Sequence, residues 1–287
     1  MTTVQSAPVT NNGLTVLDAD QLRLLRGIER VFLSWAEQVQ APEFRYPFLM
    51  QCADLDRFDY YDNFPHLGLA ATRLDPQRLA AHLAGTERPV ATMPAEVMET
   101  TMVALPSAAC YNIYLHLRGA QLPAEGVRRT TVATCFRNED HYNGLQRLLG
   151  FSMREIVFVG GEDGAKAHLE AFKERVLELT GTLGLEVNLE VATDPFFDKN
   201  SGKAKMQRLF PVKQEFVVDG LAIGSVNYHR NFFGERCEIS VASDANATVG
   251  DDVAHTSCAA FGLERWIHTL TNRFGSAAAA ADALEEI

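Results

Sequence analysis

The chain has 287 residues, 47% apolar and 22% charged, which are the values of a globular protein with room for a sizeable core. Lys and Arg total 26 against 37 Asp and Glu, and a net charge of −11 argues against extensive binding to a nucleic-acid backbone. Five cysteines at wide spacing, with no Cys-x-x-Cys pair, suggest no disulfide framework and make the cytoplasm the expected location.

The opening "MTTVQSAPVTNNG" has neither the basic nor the apolar region of a secretory signal, and no apolar run is long enough for a membrane span. Residues 1–13 read as a flexible tail, followed by one domain over 14–287. "DADQLRLLRGIERVFLSWAEQV" has helical spacing through Leu22, Leu25, Ile28 or Glu29, Phe32 and Trp35, with Asp18 as N-cap and Pro42 at the exit. "EFRYPFLM" reads as a short strand broken at Pro47, and residues 50–75 follow no clear period. "DPQRLAAHLAG" is a short helix, and "SAACYNIYLHLRG" is a helix ended by Gly119. Residues 128–137 and 148–160 are the arms of a hairpin, and "EDGAKAHLEAFKERVLELTGTLG" is a surface helix. Strands are expected at 186–192, 213–219, 221–229 and 236–242, with Asp219-Gly220 as a tight turn. The last helix is expected from Ser257 through Trp266 to Phe274, and "GSAAAAADALEEI" is a fraying helix or a tail. Strands joined by short turns predict an α+β fold, with an antiparallel sheet flanked by helices.

Arg137 and Glu139 leave one face of the first hairpin arm, and Arg147 and Arg154 lie across or beyond the turn. Such a set makes cross-strand salt bridges, or it holds a triphosphate on guanidinium forks. Gly262, Glu264 and Arg265 open an amphipathic helix, where the Glu-Arg pair reads alone as an exposed ion pair. Ser225, Asn227 and His229 alternate onto one strand face, either a solvent face or the lining of a cavity.

Taken together, Phe136-Arg137-Asn138-Glu139 and Gly262-Leu263-Glu264-Arg265 resemble the second and third motifs of class II aminoacyl-tRNA synthetases. "RGIERVF…EFRYPFLM", with Gly27 and Pro47, fits the first motif loosely, and Ala260 stands where the third motif has an earlier Gly. The resemblance implies a class II synthetase-like sheet and an ATP site. Arg137 would hold the α-phosphate, Phe151 would stack on adenine, and Arg265 would lie on the γ-phosphate side. Glu139 would meet the adenine side or a metal ion, Arg147 the bent triphosphate, and Leu148 is counted with the ATP contacts. Mg²⁺ would accompany ATP, and the family's subunits pair as homodimers.

"GLQRLLGFSMRE" resembles the seryl branch, and Cys110, Glu155 and Cys258 fall where the archaeal zinc-containing seryl enzymes place their ligands. Two thiolates and a carboxylate leave a fourth position, which the substrate amine could fill. Each of these cysteines taken alone reads as a small buried hydrophobe, and Cys52, Cys135 and Cys237 keep that reading. The resemblance also implies that Lys213, Glu215, Ser225, Asn227 and His229 line the amino-acid and ATP site, beside Glu155.

The residues before the first motif do not read as the helical tRNA-binding arm of the seryl enzymes, so a chain without that arm is expected. The chain thus resembles the truncated amino acid:carrier protein ligases, which move glycine or alanine onto a phosphopantetheine thiol. A carrier protein, not tRNA or a membrane, is the expected partner. The alternatives are a seryl-like enzyme that charges tRNA with a helper protein, and a non-catalytic paralogue. The basic stretch "KNSGKAKMQR", with Lys203 and Lys205, is either a contact for an acidic carrier or a solvated loop.

Overall fold

The computed structural model describes residues 12–192, 194–198, 200, 202, 205, 212–242 and 253–287. Its small strands are β1 (Met50–Gln51), β2 (Leu69–Ala71), β3 (Val103–Leu105) and β4 (Gln121–Leu122). The long hairpin arms are β5 (Val127–Phe136) and β6 (Gly150–Gly160). There follow β7 (Asn188–Ala192), β8 (Lys213–Val218), β9 (Leu221–Arg230), β10 (Ser240–Val241) and β11 (His255–Gly262). Six of them form one antiparallel sheet in the order β5-β6-β11-β9-β8-β7, while β1-β3-β2 make a small sheet and β4 pairs with β10.

Helices α1 (Ala19–Gln38) and α6 (Glu162–Thr182) cover one face of the large sheet, with α8 (Leu263–Phe274) and α9 (Ala277–Glu285) beside them. The short helices are α2 (Cys52–Arg57), α3 (Tyr60–Asn63), α4 (Pro76–Leu83), α5 (Tyr111–His116) and α7 (Phe232–Cys237). Among the described residues no helix is long and apolar enough to cross a membrane.

Helix α1 starts at a capping box in which the Asp18 carboxylate accepts from Gln21 N. Its period resolves at Ile28, which is buried, while Glu29 turns to the buried Arg154. The Phe32 ring of α1 stacks on Phe261 of β11 with centroids 4.2 Å apart, and Trp266 of α8 meets it edge-on at 5.3 Å. Ile156, Val226, Ala259 and Phe261 face these helices, and their sequence neighbours Glu155, Val157, Cys258 and Ala260 face the other way. That alternation assigns one sheet face to the helical core and the other to polar work.

Several expected boundaries move. The strand expected over residues 43–50 reduces to a Glu43–Thr130 bridge and β1, because Pro42 and Pro47 have no N–H to donate. The helix expected from Ser107 begins only at Tyr111, and the Ala109 and Cys110 N–H groups ahead of it are taken by the Glu155 carboxylate. Residues 236–242 are the end of α7 and the two-residue β10, not a full strand. The last helix begins at Leu263, not near Ser257. His255–Gly262 lies between β6 and β9 with both faces covered, and this removes the alternation that marks a half-buried strand. The Ala-rich end is neither fraying nor a tail. Ser276 caps α9 through Ala279 N, and Ala280 and Leu284 are buried in the main core. Gly13, assigned to the tail, has its carbonyl bonded to Leu149 N, while residues 1–11 lie outside the described residues.

Arg154 is 2% exposed, and its guanidinium binds Glu29 and Glu43 at 2.7 Å each and Thr130 Oγ1 at 3.2 Å. Arg154→Met is expected to cost about 3 kcal/mol of unfolding free energy, at the low end for a broken buried ion pair because Glu43 can rehydrate. Urea denaturation measures it, and an unchanged midpoint would show that the pair adds no stability.

Candidate active site and metal centre

Glu155 sits on β6 opposite Thr131 of β5 and Ala260 of β11, and Cys258 sits two residues before Ala260 on the same face. Cys110 precedes α5 on the turn that crosses this face. The structure brings all three together: one ligand atom from each lies within 4.8 Å of the others, and all three residues are buried. Glu155 Oε1 accepts from Ala109 N at 2.9 Å and Cys110 N at 3.2 Å, whereas Oε2 is buried with no hydrogen-bond partner. Burial, then the Cys258 sulfur, pushes the Glu155 carboxyl up to about 8. Cys258 is held well below the usual thiol range by hydrogen bonding from Cys110, with His229 and Asn227 adding to it. Cys110 is correspondingly raised. An orphaned carboxylate oxygen between two thiols is the donor set of a zinc ion, so the residues fit the metal that the resemblance implies.

The arginines converge on a neighbouring cavity. Arg137 donates through Nε and Nη2 to Ser107 O at 3.3 and 3.1 Å, and its guanidinium caps the Phe151 ring at 5.0 Å. Arg265 is anchored by Gln146 O at 2.8 Å and Ala222 O at 2.9 Å. Burial, then the charges of Arg137 and Arg147, lowers the Arg265 pKa, so three cations share one space. Arg147 pairs with Glu139 at 3.0 Å, which gives the salt-bridge reading of the hairpin to this pair. Leu148, Phe151, Glu139 and Glu215 line the same cavity.

A second cavity, of about 480 Å³, opens over the cysteine-glutamate cluster. Its walls include Phe64, Tyr111, Phe196 and Phe233, and Asn227 and His229 lie on its floor. Arg137, Met153, Lys213, Ser225 and Ala260 line both cavities, so the two meet at Arg137. Lys213 binds Glu215 at 3.0 Å and Asp194 at 3.5 Å, and Asn227 donates to Ser225 Oγ at 3.2 Å. His229 is turned toward Cys258 and Thr256. Glu264 is not half of an exposed pair with Arg265. It is buried, and both its oxygens accept from Ser152 N at 2.8–2.9 Å, tying α8 to β6. The basic stretch at 199–208 falls outside the described residues, apart from Asn200, Gly202 and Lys205.

Sequence reasoning missed Ser107, which acts through its carbonyl and has no side-chain signature, and Tyr114 and Thr256, which act on His229. The one available signal was the small-residue run "SAAC", which lets the backbone approach Glu155 closely.

An antiparallel sheet with one arginine just past its hairpin arm and another at the strand-to-helix step defines a class II aminoacyl-tRNA synthetase-like fold. The M. kandleri seryl-tRNA synthetase, solved with A. aeolicus tRNASec, matches it with a TM-score of 0.77 over 97% of this chain and 57% of its own, at 16% identity. The Giardia lamblia prolyl-tRNA synthetase gives 0.66 over 92% of this chain and 48% of its own, at 13% identity. The Pyrococcus horikoshii seryl-tRNA synthetase complexed with ATP gives 0.64 over 92% and 54%, at 10% identity. No protein-family profile matches the chain. Amino acid–acyl-carrier-protein ligases 1 and 2 of Bradyrhizobium diazoefficiens are each 32% identical over 235 residues, which is 77% of this chain and 68% and 66% of theirs. The chain belongs to the amino acid–acyl-carrier-protein ligase family.

The raised Glu155 carboxyl has a consequence for the metal-free chain. The folded state keeps a proton up to about pH 8 that the unfolded state releases near 4.5, so Glu155 contributes stability at low pH that is lost as pH rises through about 8. The Cys258 thiolate pulls the other way, so the quantity to measure is the stability difference between wild type and Glu155→Gln. That difference is expected to move against the wild type between about pH 5 and 8 in chelator-treated protein and to level off above that. A pH-independent difference in thermal midpoint would contradict it.

Proposed function

We propose that this chain activates a small amino acid, glycine or alanine, with ATP and transfers it to the phosphopantetheine thiol of a carrier protein. The observation that carries the reading is the junction at Arg137, where a cavity with two arginines held by carbonyl oxygens meets a cavity built on two cysteines and a glutamate. Membership of the ligase family supports the acceptor.

ATP takes the arginine cavity, with its α-phosphate at Arg137, its γ-phosphate toward Arg265 and adenine against Phe151. Glu139 and Glu215 are the carboxylates in that cavity that would hold Mg²⁺, which supplies charge neutralisation to the triphosphate. A carboxylate oxygen of the amino acid attacks the α-phosphorus, the bond to the oxygen bridging to the β-phosphate breaks, and pyrophosphate leaves. Arg137 and Arg265 stabilise the charge that grows on the phosphoryl oxygens, and no side-chain nucleophile is required. Cys110, Glu155 and Cys258 would hold zinc, which when bound fixes the amino group as a neutral amine. In the second half-reaction the carrier thiol loses its proton and attacks the acyl carbon, and AMP departs. The aromatic-walled cavity exceeds what a small amino acid fills, which leaves space for that thiol. Selection among small side chains falls to these walls, where one methylene is worth about 1–3 kcal/mol.

Amino-acid-dependent exchange of pyrophosphate into ATP is expected with glycine or alanine, and no exchange with any of the standard amino acids would sink the proposal. Acyl transfer is then expected to a holo-carrier protein and not to tRNA; tRNA charging would favour the seryl-like alternative. Arg137→Met and Arg265→Met are each expected to lower the exchange rate about 10²–10³-fold with the fold intact. Metal analysis of Cys110→Ala, Glu155→Ala and Cys258→Ala is expected to show loss of zinc, and full retention in all three would refute the ligand set.

A further inference from the structure

The strand pair that carries Cys258 is irregular next to it. Thr256 of β11 pairs with Arg230 of β9, but the next residue, Ser257, pairs with Tyr228, so His229 has no opposite number. His229 is the extra residue of a β-bulge, and Arg230 after it takes a left-handed φ of 55°. A bulge re-aims the side chain it carries. Here the imidazole reaches along the sheet to Cys258, with Nε2 3.8 Å from Sγ.

The other ring nitrogen is occupied. His229 Nδ1 lies 3.1 Å from Thr256 Oγ1 and 3.4 Å from the Tyr114 hydroxyl, and Thr256 and Tyr114 are both fully buried. Hydroxyls can bring their own protons to Nδ1, and that assigns the ring proton to Nε2, the nitrogen that faces sulfur. The ring is also clamped, edge-on to Phe233 at 5.0 Å, while Phe233 stacks on Tyr114 at 4.0 Å. Asn227 Nδ2 donates to the same sulfur at 3.6 Å. Among the described residues both nitrogen donors go to Cys258, and Cys110 receives none.

We propose that His229 is a positioning residue of the metal centre, not a substrate contact: its bulge, its hydroxyl partners and its aromatic clamp aim an N–H at the Cys258 sulfur. Such a bond draws electron density from one thiolate and fixes its direction. Cys258 thereby becomes the weaker donor of an unequal pair, and the metal stays a stronger acceptor for a fourth ligand. The inference rests on the zinc reading of the site.

The test loads the chain with Co²⁺, whose thiolate charge-transfer band reports the electron density on sulfur. His229→Asn, whose amide takes the place of Nδ1, is expected to move the band to longer wavelength. It is also expected to weaken zinc about 10–100-fold in competition with a chromogenic chelator. His229→Gln, whose amide nitrogen takes the place of Nε2, is expected to restore both. Tyr114→Phe removes one hydroxyl from Nδ1 and keeps the ring, and it is expected to shift the band the same way by less, so it decides the matter if His229→Asn does not fold. An unchanged band in the variants, or a rise in KM for the amino acid with no spectral change, would overturn the assignment. A wild-type chain that binds neither metal would overturn the zinc reading and this inference together.

Discussion

The site depends on one buried carboxylate. Glu155 is brought beneath the turn at 107–110 by a long strand, and its Oε1 takes the N–H groups of Ala109 and Cys110. Those bonds hold Cys110 over the sheet. The same turn offers Ser107 O to Arg137, and the preceding Pro106 O accepts from Phe136 N. The cysteine-glutamate cluster and the arginine cavity are therefore two ends of one short piece of chain. A shift of Glu155 would be felt at Arg137 through four residues of backbone, with no further relay.

The arginines sort by the kind of partner they have. Arg154 binds two carboxylates and is neutralised, and Arg147 binds Glu139. Arg137 and Arg265 are held by carbonyl oxygens, which fix direction but cancel no charge. The protein thus spends the rigidity of a buried hydrogen bond on these two and leaves their positive charge without a carboxylate partner among these bonds. The depression of Arg265 by burial and by its two neighbours is the energetic sign of the same arrangement, because clustered cations are eased when an anion enters.

The hairpin, the first helix and the long helix after the hairpin were legible in the sequence, because each buries one face and keeps the matching period. Strand β11 was not, since covering both faces erases the alternation, and its small residues read as the start of a helix. The turn at 107–110 was hidden for a different reason. Its conformation is set by a carboxylate 45 residues away, in the Cys110–Glu155 bond, and no local pattern encodes that. The site residues were nameable only as a joint motif. Alone, Cys110, Glu155 and Cys258 are a buried thiol, a charged strand residue and another buried thiol. The bulge at His229 left no trace at all, since a bulge is a mismatch between two strands and belongs to neither.

Arg154 and Glu155 show why the register of this sheet cannot drift. They are sequence neighbours on β6, so they leave opposite faces. Arg154 enters the helical face and binds Glu29 of α1, and Glu155 enters the cavity face and binds the turn of Cys110. A slip of one residue would put the guanidinium beside the cysteines and the Glu155 carboxyl beside Glu29, leaving a buried guanidinium unpaired and the carboxyl without its backbone donors. Apolar strands tolerate a slip better, because one hydrophobe replaces another. Here each face carries a polar group that only its own partner can satisfy. The ion pair that secures the first helix therefore also fixes the register on which the cysteine-glutamate cluster depends, and the charge that made the hairpin look crowded is what aligns it.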